Sequence, residues 1–100
     1  MARPPPGQAL ADTVGALRAA GVTGRFNFLL TDGQLIAATA AGDTLWYRRS
    51  GPALVVGSEP GDDEPGWTEV PDDSLLIATA GQAAVAPLAE VPSNGRIALS

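Results

Sequence analysis

The feature that most constrains the fold of this chain is a change of pattern at residue 25, after which short apolar runs alternate with turn residues. Phe26, Phe28 and Leu30 occupy every second position, the spacing that puts side chains on one face of a β-strand. The Asp32-Gly33 pair that follows is the strongest hairpin signal in the chain. Further strands are predicted over residues 34–39, 44–48, 54–56, 75–79 and 83–88. The sequence therefore predicts about five or six mostly antiparallel strands.

One amphipathic helix is predicted ahead of the strands, over residues 8–20. Leu10, Val14 and Leu17 recur at helical spacing. Gly21 is the expected stop, because glycine readily takes the left-handed conformation of a helix cap. A single helix followed by a run of strands makes this an α+β fold.

The chain is expected to contain one domain, over residues 8–88, between two irregular ends. Residues 1–7 include three consecutive prolines and a glycine, so they are expected to form an extended leader or a truncated linker. Residues 89–100 show little pattern and are expected to form a loose tail. Pro87, just before that tail, indicates an edge strand or a strand end.

Composition excludes several classes of function. The chain has no cysteine and no histidine, so it offers no thiolate and lacks the most common catalytic base and metal ligand. Its net charge of −5 disfavours binding to nucleic acids or anionic membranes. No apolar run approaches the roughly 18 residues that a membrane span requires. The expectation is a soluble, cytoplasmic protein with no cofactor.

The segment 59–73 is the most acidic part of the chain and could suggest a calcium site. It holds seven of the eleven acidic residues, namely Glu59, Asp62, Asp63, Glu64, Glu69, Asp72 and Asp73. Their spacing does not match an EF-hand loop. A solvated acidic loop is the better interpretation, and no metal ligand is assigned. The pairs Asp62-Asp63 and Asp72-Asp73 stand beside Gly and Pro, so full hydration and ordinary pKa values are expected for them.

Four other features invite a functional interpretation and each has a simpler structural one. Ser58 follows an apolar strand but lacks the nucleophile-elbow pattern, so Ser58 and Glu59 are expected to end the strand through backbone hydrogen bonds. Trp46 and Tyr47 could suggest an aromatic stacking platform, but they are adjacent and must face opposite sides of a strand. Core packing of Trp46 or Tyr47 is therefore the simpler interpretation. Trp67 is expected to anchor a loop.

The basic pair Arg48-Arg49 is expected to be an exposed strand end rather than an anion site. No catalytic residue, cofactor-binding residue or metal ligand is therefore predicted anywhere in the chain.

Three stretches resemble the later half of class II glutamine amidotransferases. The first is residues 25–33 followed by 36–39, the second is residues 42–48, and the third is residues 55–71, which begins Val-Val-Gly-Ser-Glu-Pro. The resemblance covers roughly residues 8–88 and is greatest to the ergothioneine-biosynthesis branch, whose members are γ-glutamyl hydrolases. Gly57 stands where that branch is expected to have alanine.

The resemblance implies an N-terminal-nucleophile hydrolase fold, in which two antiparallel sheets stack between helices in an α-β-β-α sandwich. It also implies an N-terminal cysteine nucleophile whose own amine acts as the base. Residue 2 of this chain is Ala2, so no catalytic residue of the family is carried onto it. The expected identity is therefore a C-terminal fragment that is inactive alone, with the missing N-terminal half as its partner and a γ-glutamyl substrate only in the complete enzyme.

Two alternatives to a hydrolase fragment stay open from the sequence. One is a free-standing β-rich module that binds another protein, and the other is an acidic module that binds cations. A fragment is expected to be marginally stable or to associate, because a sheet without its partner exposes apolar surface and strand edges.

Overall fold

The computed structural model describes residues 5–31, 33–50, 53–79 and 81–91. Within these ranges the chain begins with one α-helix, α1 (Pro6–Ala19), continues through seven strands and closes with a 3₁₀ turn, Leu88–Glu90. The strands are β1 (Leu29–Thr31), β2 (Ile36–Ala40), β3 (Trp46–Ser50), β4 (Ala53–Gly57), β5 (Thr68–Glu69), β6 (Ser74–Ala78) and β7 (Ala83–Pro87). The additional strand relative to the sequence-based expectation is β5, which has only two residues.

The strands form two antiparallel sheets that pack face to face. The first sheet has the order β1-β2-β6-β7 and the second has the order β4-β3-β5. β3, β4 and β5 all lie in the chain between β2 and β6, so the second sheet is inserted between two neighbouring strands of the first. With α1 on the far side of the first sheet, the layers follow the order α-β-β, and the predicted α+β class is confirmed.

The central strand β6 is buried on both of its faces. Leu76 packs with Ala38 of β2 in the core between the sheets, whereas Leu75 and Ile77 pack with Leu10 of α1 on the opposite face. Successive residues of a strand point to opposite faces, so a strand covered on both sides must be apolar throughout. This explains why residues 75–78 form an uninterrupted apolar run.

The start of α1 differs from the expectation that residues up to Gly7 are extended, because the helix begins at Pro6. Proline is favoured in the first helical turn, where its missing N–H would have had no helical partner. Gly7 is buried, and a Cβ at this position would come within 2.7 Å of Ile77 Cδ1 and 3.1 Å of Leu75 Cδ2. Pro5 and Pro6 thus lead directly into the helix, and Gly7 lets its first turn approach β6. Residues 1–4 lie outside the described ranges.

The end of α1 confirms the predicted glycine stop. Gly21 has a φ of +78°. Its N–H donates to the carbonyl of Arg18, and the N–H of Val22 donates to the carbonyl of Leu17. This pair of bonds is the Schellman motif, which satisfies carbonyls that the helix itself leaves without donors.

The first predicted strand begins later than the sequence suggests. Residues 26–28 run beside β2, but their pairing is made partly by the side chain of Thr39. Its hydroxyl donates to the Phe26 carbonyl at 2.5 Å and accepts from the Phe28 N–H at 2.8 Å. Thr39 is fully buried. The Thr39 side chain therefore replaces a backbone hydrogen bond between the two paired segments, and the regular strand starts only at Leu29.

Strand β4 was expected to lie inside the protein, but it forms an edge of the second sheet. Leu54 and Val56 pack against the core, while Val55 between them is 45% exposed. The strand is thus half buried. Its apolar outer residue has no covering layer in the described part of the chain.

The C-terminal side is more ordered than the expected loose tail from residue 89. The turn Leu88–Glu90 follows β7 directly, and Leu88 and Val91 pack against the core under α1. Pro87 is the last residue of the edge strand β7, as its position in the sequence predicted. Asp32 and residues 92–100 lie outside the described ranges.

Candidate functional site

The first part of the acidic loop, residues 59–73, is organised around one carboxylate. Asp62 Oδ1 accepts hydrogen bonds from the indole Nε1 of Trp67 at 3.1 Å and from the backbone N–H of Glu64 at 3.0 Å. These two hydrogen bonds, the indole first, lower the pKa of Asp62 from its ordinary value, and the nearby Arg48 adds to the effect. The expectation of an ordinary pKa for Asp62 is therefore wrong, because the folded loop supplies donors to the ionised carboxylate.

Arg48 connects this loop to the sheet. It lies within β3, its side chain is 24% exposed, and its Nη1 is 3.8 Å from Asp62 Oδ2. Arg48 was expected at an exposed strand end, and that expectation is wrong. Tyr47 packs into the core, so Arg48 belongs to the outer face of β3, where the loop can reach it. Trp67 is the loop anchor that the sequence predicted, and Gly61 lies against its ring.

The second acidic pair is also structural. Asp73 forms an ion pair with Arg18 of α1 at 2.6 Å and has a φ of +58°, a left-handed conformation that aspartate tolerates better than most residues. Asp72 Oδ1 accepts a hydrogen bond from the Gly42 N–H at 2.8 Å. The pair thus ties the start of β6 to the helix and to the turn after β2.

A cleft of about 230 Å³ beside this pair gathers Asp43, Glu69 and Asp72. Asp43 Oδ1 accepts from the Thr44 N–H at 2.9 Å, and its Oδ2 is 3.5 Å from Arg25. With Asp72 already bonded to Gly42, two of the three carboxylates have partners from the chain. In the part of the chain that the structure describes, no three acidic side chains are arranged to hold a metal ion.

A second cleft, of about 210 Å³, opens at one end of the sandwich between the two sheets. Its lining consists of Thr31, Gly33, Gln34, Ile36, Ala53, Leu54, Ala78 and Thr79. None of these eight residues has an ionisable side chain. The Thr31 hydroxyl accepts from the Gly33 N–H at 3.1 Å, and the Thr79 N–H donates to the Gln82 carbonyl at 2.8 Å. This cleft can accommodate a small polar group, but its described lining supplies no acid, base or nucleophile.

The sequence-based interpretation of Ser58 agrees with the structure. β4 ends at Gly57, and the Ser58 carbonyl accepts a hydrogen bond from the Thr44 hydroxyl at 2.8 Å. Ser58 is exposed and lies outside both clefts. Its backbone carbonyl therefore binds the segment in which the chain crosses from the first sheet to the second.

Asn27 is a key residue that sequence reasoning missed. Its Nδ2 donates to the carbonyls of Asp43 and Thr44 at 3.0 and 3.2 Å, and its Oδ1 accepts from the Ala41 N–H at 2.8 Å. All three partners belong to the turn by which the chain leaves the first sheet for the second. A lone asparagine between two phenylalanines gives no sequence signal for this role, because its partners are 14 to 17 residues away.

The chain is similar in structure and in sequence to parts of known proteins. A solved structure of a glutamine aminotransferase class-II domain protein from Silicibacter pomeroyi superposes with a TM-score of 0.59 and 30% sequence identity, over 79% of this chain and 40% of that one. The γ-glutamyl-hercynylcysteine sulfoxide hydrolase of Mycobacterium tuberculosis is 42% identical over 71 residues. The chain resembles part of a class II glutamine amidotransferase.

Each of these matches covers only part of the known protein. The match to the M. tuberculosis hydrolase covers 71% of this chain but only 30% of that protein. The hydrolase of the same name from Mycolicibacterium smegmatis is 39% identical over 64 residues, which are 64% of this chain and 28% of that protein. No protein-family model matches the chain. The chain therefore spans less than a third of the length of the hydrolases that it matches.

No helix in the described ranges is long and apolar enough to cross a membrane.

Proposed function

We propose that this chain forms the two-sheet scaffold in the C-terminal part of a γ-glutamyl hydrolase of ergothioneine biosynthesis, and that it is inactive without the rest of that fold. The observation that carries the proposal is the 42% identity to the M. tuberculosis hydrolase over 71 residues. The α-β-β layering supports it, because three layers of an α-β-β-α sandwich are present.

The chemistry that the proposal requires must come from outside this stretch. Hydrolysis of a γ-glutamyl amide needs a nucleophile, a base and donors for the oxyanion. The resemblance to class II glutamine amidotransferases implies that the first two are the thiol and the amine of an N-terminal cysteine. This chain contains no cysteine, and the Thr44 hydroxyl in the acidic cleft already donates to the Ser58 carbonyl. Its role would be to support a catalytic site built by another part of the polypeptide, and the expected location is the cytoplasm.

The test is complementation with the part of the M. tuberculosis hydrolase that this chain does not match. The assay measures glutamate released from γ-glutamyl-hercynylcysteine sulfoxide. We expect no release with this chain alone, release when both polypeptides are co-expressed, and no release when the N-terminal cysteine of the complementing part is replaced by alanine. Hydrolysis by this chain alone, or equal activity of the complementing part without it, would contradict the proposal.

The alternatives from the sequence predict other results. A free-standing interaction module would melt sharply and reversibly as a monomer and gain nothing from the complementing part. A cation-binding module would show a thermal shift with calcium but none with a monovalent salt.

A further inference from the structure

The two edges of the first sheet are exposed, but they differ in chemistry. β1 is one edge and β7 is the other. β7 ends in Pro87, which has no N–H to offer to a further strand, and such prolines are a common protection of natural sheet edges. β1 has the sequence Leu-Leu-Thr, without proline or charge. We call the outward side of β1 the open edge.

Two residues of β1 turn their backbone N–H and C=O groups away from β2, towards the open edge. The Thr39 N–H donates to the Phe28 carbonyl at 2.9 Å, so Phe28 and Thr39 form a hydrogen-bonded pair. In an antiparallel ladder such pairs alternate with pairs whose backbone groups point away from each other. The register Leu29↔Ala38 therefore turns the N–H and C=O of Leu29 outward, and Thr31 follows in the same direction.

The side chains of the open edge are only partly covered on both faces of the sheet. Leu29 shares the face of Ala38, towards the second sheet, and Leu30 shares the face of Ala37, towards α1. Both alanines are fully buried, whereas Leu29 is 56% and Leu30 is 41% exposed. The layers on the two faces of β2 thus cover β1 only in part, so whatever completes this edge must extend both layers as well as the sheet.

From these observations we infer that the open edge is the docking surface for a β-strand from the remaining part of the hydrolase fold, a strand that carries apolar residues on both faces. The inference rests on the proposed function, because the matched hydrolases extend well beyond the 30% of their length that this chain spans. A strand from that remainder would hydrogen-bond to Leu29 and Thr31, and its flanking elements would cover Leu29 and Leu30.

Hydrogen exchange of single amides tests where the complementing part docks. The complex is formed by co-expression of this chain with the part of the M. tuberculosis hydrolase that it does not match. We expect the amides of Leu29 and Thr31 to exchange at least about tenfold more slowly in the complex than in the chain alone. Val85 is the matched control, because the hydrogen-bonded pair Thr79–Gln82 and the register Leu76↔Val85 turn its N–H outward on the opposite edge. Its rate should stay unchanged.

A pair of charged variants tests the apolar part of the surface. Leu29 and Val85 lie on the same face of the sheet at opposite edges, 56% and 39% exposed. Leu29→Lys is expected to reduce the amount of complementing part that copurifies by about tenfold or more, and Val85→Lys to change it less than about twofold. Circular dichroism of each isolated variant shows that its fold is retained.

The outcomes separate the docking surface from the proposed activity. Protection of Leu29 without any hydrolysis would support the docking surface and refute the activity. Hydrolysis with protection at Val85 instead of Leu29 would refute the docking surface and support the activity. Absence of a complex, or protection of Leu29 through pairing of two copies of this chain, would overturn the inference.

Discussion

Replacing Thr39 by valine removes one hydroxyl while nearly preserving the shape of the side chain. That hydroxyl bonds two backbone groups, the Phe26 carbonyl at 2.5 Å and the Phe28 N–H at 2.8 Å, and Thr39 is fully buried. A hydrogen bond contributes a net 0.5–1.5 kcal/mol, roughly, and a buried group left without a partner costs about 1–3 kcal/mol. Since the Phe28 N–H loses its acceptor, we expect Thr39→Val to lower the free energy of unfolding by about 2–4 kcal/mol.

The measurement is urea unfolding of the chain, followed by tryptophan fluorescence and circular dichroism. The matched control is Thr44→Val, because the Thr44 hydroxyl also donates to a backbone carbonyl, that of Ser58 at 2.8 Å, but is exposed to water. Its loss should cost less than about 1 kcal/mol, since water replaces the missing donor. The comparison needs only the difference between the unfolding midpoints of the two variants, which is measurable even in a chain of marginal stability. Equal losses in the two variants would refute the assignment of Thr39 as a substitute for a ladder bond.

Two further predictions concern the helix and the acidic loop. Gly15 lies within α1, and a Cβ there would meet nothing within 4 Å, so Gly15→Ala should stabilise the chain by about 0.5–1 kcal/mol in a thermal melt; a lower melting temperature would contradict this. The lowered pKa of Asp62 means that its contribution to holding the loop is complete above the unfolded pKa, about 4, and is lost as the pH falls through the folded pKa. The NMR signal of the Trp67 indole N–H should therefore shift only below about pH 4, and Asp62→Asn should abolish that shift.

Local signals in the sequence predicted most elements of this fold. The Gly21 stop was confirmed because a helix cap depends on a single residue and its own turn. The strands of the first sheet were predicted because alternation and apolar runs are properties of five or six consecutive residues. The start of α1 was missed because Pro6 and Gly7 look like breakers, whereas proline suits a first helical turn and the approach of β6 requires glycine.

The features that escaped prediction depend on residues far apart in the chain. Asn27 and Thr39 act through backbone groups 11 to 17 residues away, and Arg48 meets Asp62 only after the loop folds back over β3. The lowered pKa of Asp62 has a more local cause, because its two main donors, the Trp67 indole and the Glu64 N–H, lie within five residues of it, but they reach its carboxylate only in the folded loop. No catalytic site was predicted, and that stays a prediction, since no comparison tests individual residues.

The insertion of the second sheet between β2 and β6 has a consequence for the order of folding. Ile36 pairs with Ala78 and Ala40 with Ser74, so the centre of the first sheet closes only after the whole second sheet has been synthesised. Closing so long a loop is entropically costly, and contacts between distant residues slow folding. The hairpin of β3 and β4 is local, and its formation shortens the loop that must close between β2 and β6. On a ribosome, β2 would therefore emerge with an unpaired side and wait for β6, which makes this interval the stage at which the nascent chain is most exposed to mispairing.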